Sequence, residues 1–151
     1  MTNSSGPRLV LTLHHVLQVI DHARAEQPNE ACGLLGGRGG RVEKVYRLVN
    51  AEQSSVRYLA EPQGQLDAML DIEDRSREIV GIYHSHVDAP AYPSPIDVEM
   101  AYYPGAITLI VSLADQESPV LGAFRIRDRR IEEADIIIED TEMPHSLGQE
   151  S

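Results

Sequence analysis

Apolar residues recur at helical spacing in two segments of the chain. The first stripe predicts an amphipathic helix over about residues 12–26, with Thr12 as its N-cap and Pro28 just beyond its end. The second stripe predicts a helix over about residues 62–76, in which Met69 belongs to the core. The residues on the two stripes are Leu13, Val16, Leu17, Ile20 and Ala23, and Leu66, Met69 and Leu70.

Short apolar runs rich in β-branched residues predict a larger number of strands. Gly36–Gly40 and Arg127–Arg130 separate neighbouring runs and predict hairpin turns. Strands therefore alternate irregularly with about three helices, which is typical of an α/β or α+β sandwich with a mixed sheet. The predicted strands are residues 31–35, 42–50, 56–60, 79–83, 106–113, 120–126 and 131–138.

The length and composition favour a single globular domain without disulfides. The chain has 151 residues, of which 42% are hydrophobic, and its single cysteine excludes an intrachain disulfide. No apolar run approaches the roughly 20 residues that a transmembrane helix needs. Residues 1–7 lack the basic and apolar regions of a secretory signal. We therefore expect a cytoplasmic protein without membrane attachment.

The charge balance disfavours nucleic acids and acidic membranes as partners. The chain carries 13 Lys and Arg residues against 24 Asp and Glu residues, which gives a formal net charge of −11. Such a surface repels the phosphate groups of nucleic acids and lipids. The acidity favours solubility and does not by itself identify a partner.

Two histidines at the end of a predicted strand form the main candidate site. His84 and His86 follow the run Ile79–Tyr83, and alternate residues of a strand share a face, so both imidazoles point the same way. Asp97 follows eleven residues later and can supply a carboxylate. Two nitrogens and one oxygen suit zinc and leave a fourth position for water, which predicts a zinc hydrolase.

The carboxylate lies at a predicted helix start. Ser94 fits the N-cap, Pro95 the first helical position and Asp97 the third. Capping alone would explain Ser94 and Asp97, and a lone His-X-His is usually structural. The combination favours a metal site, because one loop with two prolines, residues 88–93, connects the strand end to the helix start.

The spacing of these residues resembles the JAMM motif of the JAB1/MPN/Mov34 metallopeptidases. The positions that match the motif are Glu30, His84, His86, Ser94 and Asp97. The resemblance covers residues 9–138 and leaves residues 1–8 and 139–151 as expected flexible tails. It implies a JAB1/MPN domain, in which a cytidine-deaminase-like mixed sheet is flanked by about three helices.

The resemblance also implies a role for each motif residue. His84, His86 and Asp97 would hold one zinc ion, with water as the fourth ligand. Glu30 would act as the catalytic acid and base, and Ser94 would hydrogen-bond to the tetrahedral oxyanion. Taken without the other motif residues, Glu30 would be interpreted as an ordinary carboxylate at the end of a loop.

Further segments resemble the bacterial Mec-type branch of the family. They are Asn29–Gly33, Asn50–Glu52, Ile82–His86 and Ala91–Ser94. Enzymes of that branch hydrolyse adducts, notably a cysteinyl one, at the C terminus of ubiquitin-like sulfur-carrier proteins. The resemblance thus implies cleavage of the amide bond after the carrier's C-terminal Gly-Gly, with release of cysteine for cysteine biosynthesis.

The remaining cysteine and histidines are weaker candidates for ligands. Cys32 follows Glu30 by two residues and could approach the metal, but a small buried side chain is the commoner role of such a cysteine. We therefore leave Cys32 out of the ligand set. His14, His15 and His22 lie in the first predicted helix, and we expect them to be surface or partly buried residues.

Three alternative functions have different requirements. A broader deubiquitinase-like isopeptidase would use the same residues on protein conjugates. A non-catalytic MPN scaffold would only bind partners, but scaffold members usually lack ligand positions that this chain retains. A nucleic-acid deaminase would need a Cys-X-X-Cys pair, which the single cysteine excludes. The resemblance also suggests a homodimer, for which no residue pattern gives independent support.

Overall fold

The computed structural model describes residues 6–101, 103 and 105–139. Eight strands and three helices follow one another along this part of the chain. They are β1 (Arg8–Thr12), α1 (Leu13–Glu26), β2 (Cys32–Arg38), β3 (Arg41–Leu48), α2 (Pro62–Asp74), β4 (Glu78–His86), α3 (Pro95–Glu99), β5 (Ile107–Ser112), β6 (Val120–Arg127), β7 (Arg130–Glu133) and β8 (Asp135–Glu139).

All eight strands belong to one mixed sheet. Their order is β7-β6-β5-β4-β2-β3-β1-β8. The pairs β1–β3, β1–β8 and β4–β5 are parallel, and the other neighbours are antiparallel. The predicted fold class, a mixed sheet with about three helices, is confirmed.

The two ends of the sheet lie close together. Strands β7 and β8 stand at opposite ends of the sheet order, yet Ala134 is the single residue between them. Its N–H donates to the Ala123 carbonyl of β6 at 2.8 Å. The sheet therefore curls until its edges approach each other. The prediction of one strand over residues 131–138 is wrong, because the two halves of that run pair with different edges.

Helix α1 packs against one face of the sheet. Val16, Val19 and Ala23 are buried there, whereas Leu13 and Leu17 of the predicted stripe are about half exposed. The helix and its N-cap are confirmed, but its buried side is rotated from the predicted one. Strand β1, which the apolar pattern did not predict, runs into α1 without a loop and fixes which side of the helix faces the sheet.

His22 lies on the buried side of α1, so its prediction as a surface or partly buried residue is wrong. It is 4% exposed, and its Nδ1 lies 2.7 Å from the Tyr83 hydroxyl on β4. Burial, with a smaller contribution from the charge of Arg47, lowers the pKa of His22 to about 4. The neutral ring thereby links α1 to the strand that carries His84 and His86.

Helix α2 covers the opposite face of the sheet. Ala68 and Ile72 are buried, and the small side chain of Ala68 allows the helix to approach the strands closely. All three residues of the predicted stripe are at least 38% exposed, so the prediction that Met69 lies in the core is wrong. Adjacent residues of β2 point to opposite faces of the sheet: Leu34 packs under α2 and Leu35 under α1.

Two loops differ from the predicted pattern. Strand β2 continues through Gly36 and Gly37, and the turn is confined to Gly39 and Gly40, which both have positive φ. Gly37 is needed within the strand, because the carbonyl of Arg41 passes where its Cβ would lie. Described residues 56–60 form no strand, and an isolated bridge pairs residues 50 and 60 instead.

The ends of the sheet lie near the expected domain bounds. Strand β1 begins at Arg8 and β8 ends at Glu139, one residue outside each expected bound. Residues 1–5 and 140–151, which make up most of the predicted tails, lie outside the described residues. Within the described part of the chain, no helix is long and apolar enough to cross a bilayer.

Gly33 occupies a position on β2 that has no room for a side chain. A Cβ there would meet the ring of Tyr83 and the carbonyl of Tyr46. We expect Gly33→Ala to lower the free energy of unfolding by about 1–3 kcal/mol, because overpacking forces the core to shift. Urea denaturation measures the change.

Gly105→Ala is the matched control for that variant. Apart from Gly105 itself and its chain neighbours, no described residue has an atom within 4 Å of the Cβ position at Gly105. Its free energy of unfolding should stay within about 0.5 kcal/mol of wild type. Equal stability of the two variants would contradict the tight packing at Gly33.

Candidate active site

The two histidines lie at the C-terminal end of β4, as predicted. His84 and His86 are 1% and 4% exposed and lie on the same face of the strand. Ser85 between them points away and packs within the sheet, where its Oγ accepts a hydrogen bond from the Ala31 N–H at 2.8 Å. The strand therefore presents two buried imidazoles next to each other, with ring centroids 5.1 Å apart.

Asp97 reaches the histidines from the first turn of α3. Ser94 is the N-cap, and its Oγ accepts a hydrogen bond from the Asp97 N–H at 3.1 Å. In return, Oδ2 of Asp97 accepts one from the Ser94 N–H at 2.9 Å. Pro95 fills the first helical position. The predicted helix start is confirmed, and its reciprocal cap fixes the direction of the carboxylate.

The three side chains converge on one small volume. Oδ1 of Asp97 lies 3.2 Å from His84 Nε2, and Oδ2 lies 2.9 Å from His86 Nε2. The candidate ligand atoms of all three residues lie within 4.8 Å of one another. On the far side of its ring, His86 Nδ1 lies 2.7 Å from the Pro90 carbonyl, which can only accept. That contact places a proton on Nδ1, so Nε2, which faces Asp97, is the ring nitrogen that can bind a metal ion.

The unsatisfied polar atoms of the cluster fit a bound cation. Among the described residues, His84 Nδ1 and Glu30 Oε1 are buried without hydrogen-bond partners, and His84 Nε2 faces Asp97 Oδ1 at 3.2 Å without hydrogen-bond geometry. Such atoms are costly, so a group of them calls for a further partner. One nitrogen from each of His84 and His86 and one oxygen of Asp97 form a donor set that suits a transition-metal ion.

The charge state of Asp97 also suits a cation. Burial by itself raises the pKa of its carboxyl group, but contacts with His84 and His86 and the Ser94 N–H outweigh burial and lower it. Asp97 is therefore a carboxylate at neutral pH. Burial lowers the pKa of His86, but the Asp97 carboxylate, together with the Pro90 carbonyl and the charge of Glu30, outweighs burial and raises it. The cluster thus favours positive charge at its centre.

Glu30 lies beside this cluster in the link between α1 and β2. It is 2% exposed, and burial, reinforced by the charge of Asp97, raises the pKa of its carboxyl group to about 8. A cavity of about 540 Å³ is lined by Glu30, His86 and Ser94 together. The structure thus brings together all five residues that the sequence singled out.

Two residues near the site had no assigned role at the sequence level. The ring of Tyr58 stacks on His84, with centroids 5.0 Å apart and planes 28° apart. Asn50 is buried, and its Nδ2 donates to the Glu30 carbonyl at 3.0 Å. Asn50 belongs to the segment Asn50–Glu52, whose similarity to the Mec-type branch is the one feature of the sequence that points to it. Tyr58 lies within the predicted strand over residues 56–60, and that prediction does not indicate a contact with His84.

Cys32 is the small buried residue that the sequence favoured. It packs in the apolar cluster under α2 and pairs with His84 across β2 and β4. Burial, with smaller contributions from Glu26 and Glu30, raises the pKa of its thiol to about 12, so it is neutral. The cluster of candidate ligand atoms contains His84, His86 and Asp97 without it.

The family model of prokaryotic homologs of the JAB domain matches residues 12–127. The chain belongs to this family. The matched region runs from the start of α1 to the end of β6 and therefore includes Glu30, both histidines, Ser94 and Asp97. The resemblance to the JAB1/MPN/Mov34 proteins is confirmed.

Two similar proteins have names that state an activity. The CysO-cysteine peptidase of Mycobacterium tuberculosis is 38% identical over 127 residues, which are 83% of this chain and 87% of that protein. A probable TtuB-protein conjugate cleaving protease of Thermus thermophilus is 41% identical over 81 residues, 53% of this chain and 54% of that protein. With the family match, these relatives identify the chain as a hydrolase of the JAMM type.

Solved structures show the same fold. A solution structure of a protein from Desulfitobacterium hafniense has a TM-score of 0.81 and 37% identity, and the match covers 93% of this chain and 99% of that one. A JAB1/MPN domain protein from Archaeoglobus fulgidus has a TM-score of 0.58 and 17% identity, over 91% and 100% of the two chains. The second likeness concerns the fold alone, and it agrees with the expected JAB1/MPN arrangement.

Proposed function

We propose that this protein is a zinc-dependent metallopeptidase that acts on a ubiquitin-like sulfur carrier. It would hydrolyse the amide bond after the carrier's C-terminal Gly-Gly and release cysteine. The observation that carries this proposal is the convergence of His84, His86 and Asp97 beside a buried Glu30. The cysteinyl substrate is supported by the 38% identity to a CysO-cysteine peptidase.

The donor set favours zinc as the metal. His84, His86 and Asp97 would hold the ion through two nitrogens and one oxygen, a set of three protein ligands that suits catalytic zinc. When bound, zinc supplies a Lewis acid that makes water acidic enough to ionise at about pH 7. The Pro90 carbonyl would keep His86 in the tautomer that the site requires.

Glu30 is the proposed acid and base. Hydrolysis forms a bond between a water oxygen and the glycine carbonyl carbon and breaks the carbon–nitrogen bond to cysteine. One proton of that water has to leave it, and the departing nitrogen has to gain a proton. Oε1 of Glu30, which has no hydrogen-bond partner among the described residues, can accept the first proton and donate it to the amine.

Ser94 can serve the cap and the reaction together. Its Oγ accepts the Asp97 N–H through a lone pair, so its own hydroxyl proton stays available for donation. We assign that proton to the oxyanion of the tetrahedral intermediate. Donors of this kind contribute about 2.7–4 kcal/mol to transition-state stabilisation, whereas the cap contributes about 1 kcal/mol to stability.

A conjugate-cleaving isopeptidase is the second candidate function. The Thermus relative, a probable TtuB-protein conjugate cleaving protease, favours it. Both candidates need a narrow chain to approach the cluster, and a tail of two glycines can lie close to the walls of the cavity. The complete ligand set argues against a scaffold that only binds partners.

The proposed activity needs neither a second copy of the chain nor an oxidising compartment. All five site residues come from one chain, so the chemistry does not require the homodimer that the resemblance suggests. A buried free thiol at Cys32 suits a reducing compartment, and we propose the cytoplasm as the location.

The first prediction concerns the metal. Purified protein should contain about one zinc ion per chain, and His84→Ala, His86→Ala and Asp97→Ala should each lose most of it, because each removes one of three protein ligands. Elemental mass spectrometry after dialysis measures the content. His14→Ala, at an exposed position of α1, is the control and should stay loaded. Full occupancy in all three ligand variants would refute this ligand set.

The second prediction concerns the acid and base. Glu30→Gln should keep its zinc and its fold but lose about 10²–10⁴-fold in kcat, because the amide is nearly isosteric and cannot accept a proton. Steady-state kinetics on zinc-loaded protein measures the loss, with zinc content and thermal unfolding as controls. Wild-type turnover by a loaded variant would remove Glu30 from the mechanism.

The third prediction concerns the substrate. Carrier–cysteine adducts should be cleaved faster than carrier–lysine conjugates, and replacing the terminal glycines by bulky residues should abolish cleavage. Short Gly-Gly-Cys peptides should lose rate as well as affinity, because contacts with the folded carrier position the scissile bond. Mass spectrometry of the products follows each reaction. A preference for the lysine conjugate would select the isopeptidase, and equal cleavage of unrelated peptides would contradict both functions.

A further inference from the structure

A loop beside the candidate active site is closed around one buried asparagine. Asn50 follows β3 and is 4% exposed, and residues 51–60 connect it to the start of α2. We call residues 51–60 the strap. The two arms of the strap are joined by a hydrogen bond from the Ala51 N–H to the Leu59 carbonyl at 2.8 Å. The side chain of Asn50 fills the inside of the loop that results.

The carboxamide of Asn50 uses its full hydrogen-bonding capacity. Its Oδ1 accepts from the N–H groups of Glu52 and Leu59, both at 3.0 Å. Its Nδ2 donates to the Arg57 carbonyl at 3.1 Å and to the Glu30 carbonyl at 3.0 Å. The reversed amide would set donors against donors, so one orientation alone satisfies the site. Three of the four bonds hold the strap, and the fourth holds Glu30.

The strap in turn contacts both parts of the candidate active site. The Glu30 N–H donates to the Ser54 carbonyl at 2.7 Å, so the backbone of Glu30 is held on one side by the strap and on the other by Asn50. Tyr58 of the strap stacks on the ring of His84. The carboxyl group of Glu30 therefore takes its place from a backbone that the strap and its asparagine fix.

We infer that Asn50 is a positioning residue, which holds the strap against Glu30 and sets where the Glu30 carboxyl group lies relative to the metal ligands. The inference rests on the proposed function, in which Glu30 moves the protons. Asn50 itself contacts the backbone of Glu30 and the strap, and it acts through them. A displacement of about 1 Å in a reacting group can cost about 10²-fold in rate, so a residue of this kind matters for catalysis.

Asn50→Asp separates the two hydrogen bonds that the Asn50 side chain accepts from the two that it donates. The carboxylate keeps both acceptor bonds, from Glu52 and Leu59, and replaces both donor bonds by repulsion against the carbonyls of Arg57 and Glu30. We expect kcat on the carrier–cysteine adduct to fall about 10–100-fold, as for other residues that orient an active group. KM should stay within about threefold of wild type, because substrate contacts are intact. Zinc content at saturating zinc should remain near one per chain.

Hydrogen exchange at the Glu30 amide measures how firmly Asn50 holds the strap against Glu30, and it needs no substrate. That N–H donates to the strap, so loosening the strap should speed its exchange in Asn50→Asp by about tenfold or more. Gln116→Glu is the matched control, because it also replaces an amide that donates to a backbone carbonyl, that of Leu113 at 3.1 Å. The control should keep wild-type kcat and wild-type exchange at Glu30.

The outcomes separate positioning from a purely structural role. Kinetics are measured well below the unfolding temperature of each variant, where a residue that only adds stability leaves kcat unchanged. Unchanged kcat in a folded Asn50→Asp, with or without faster exchange at Glu30, would overturn the inference. A rise in KM alone would do the same. If Asn50→Asp does not fold, Asn50→Ala is measured by the same two readouts.

Failure of the proposed function gives a different result. In that case the wild-type protein itself would not cleave the carrier adduct, although it would still bind metal. Exchange at the Glu30 amide then remains a test of whether Asn50 holds the strap. Exchange that is unchanged from wild type in both Asn50 variants would refute the claim that Asn50 holds the strap against Glu30.

Discussion

The site depends on the buried carboxylate of Asp97. At 8% exposure, its two oxygens meet His84, His86 and the Ser94 N–H. A carboxylate can stay ionised at such a depth only if donors or positive charge surround it. The cap of α3 fixes the carboxylate, and the carboxylate in turn gathers the two imidazoles. One buried charge thus links the end of β4 to the start of α3 and creates the demand for a cation between them.

The parts of the site that the sequence predicts are those that local chain geometry decides. Alternation along β4 sets His84 and His86 side by side, and a short capped helix directs Asp97 towards them. Both follow from residues within one segment. Glu30 lies far away in the chain, and only the resemblance to a known motif identified it. Its burial, and the contact of its backbone with Asn50, depend on how β2, β3 and the strap come together, which no local spacing contains.

The errors in the predicted fold have the same origin. The sequence predicts one strand over residues 131–138, yet the chain divides at Ala134 because the curled sheet offers two edges at that point. The buried sides of α1 and α2 differ from the predicted ones, because the sequence shows an apolar stripe but not which part of it meets the sheet. His22 of α1 can be buried because the hydroxyl of Tyr83 on β4 offers it a hydrogen-bond partner. Each of these features is decided by a contact between distant segments.

The two halves of the site come from different parts of the chain, and Ser85 joins them. The candidate metal ligands lie on β4 and α3, whereas Glu30 precedes β2. Ser85, between the two histidines, donates its N–H to the Ala31 carbonyl at 3.0 Å and accepts the Ala31 N–H through its Oγ at 2.8 Å. These two hydrogen bonds to Ala31, the residue after Glu30, fix the distance between the two halves of the site. Asp97 can therefore hold the candidate ligands together, while the proposed acid and base, Glu30, is positioned by Ser85 from one side and by the strap from the other.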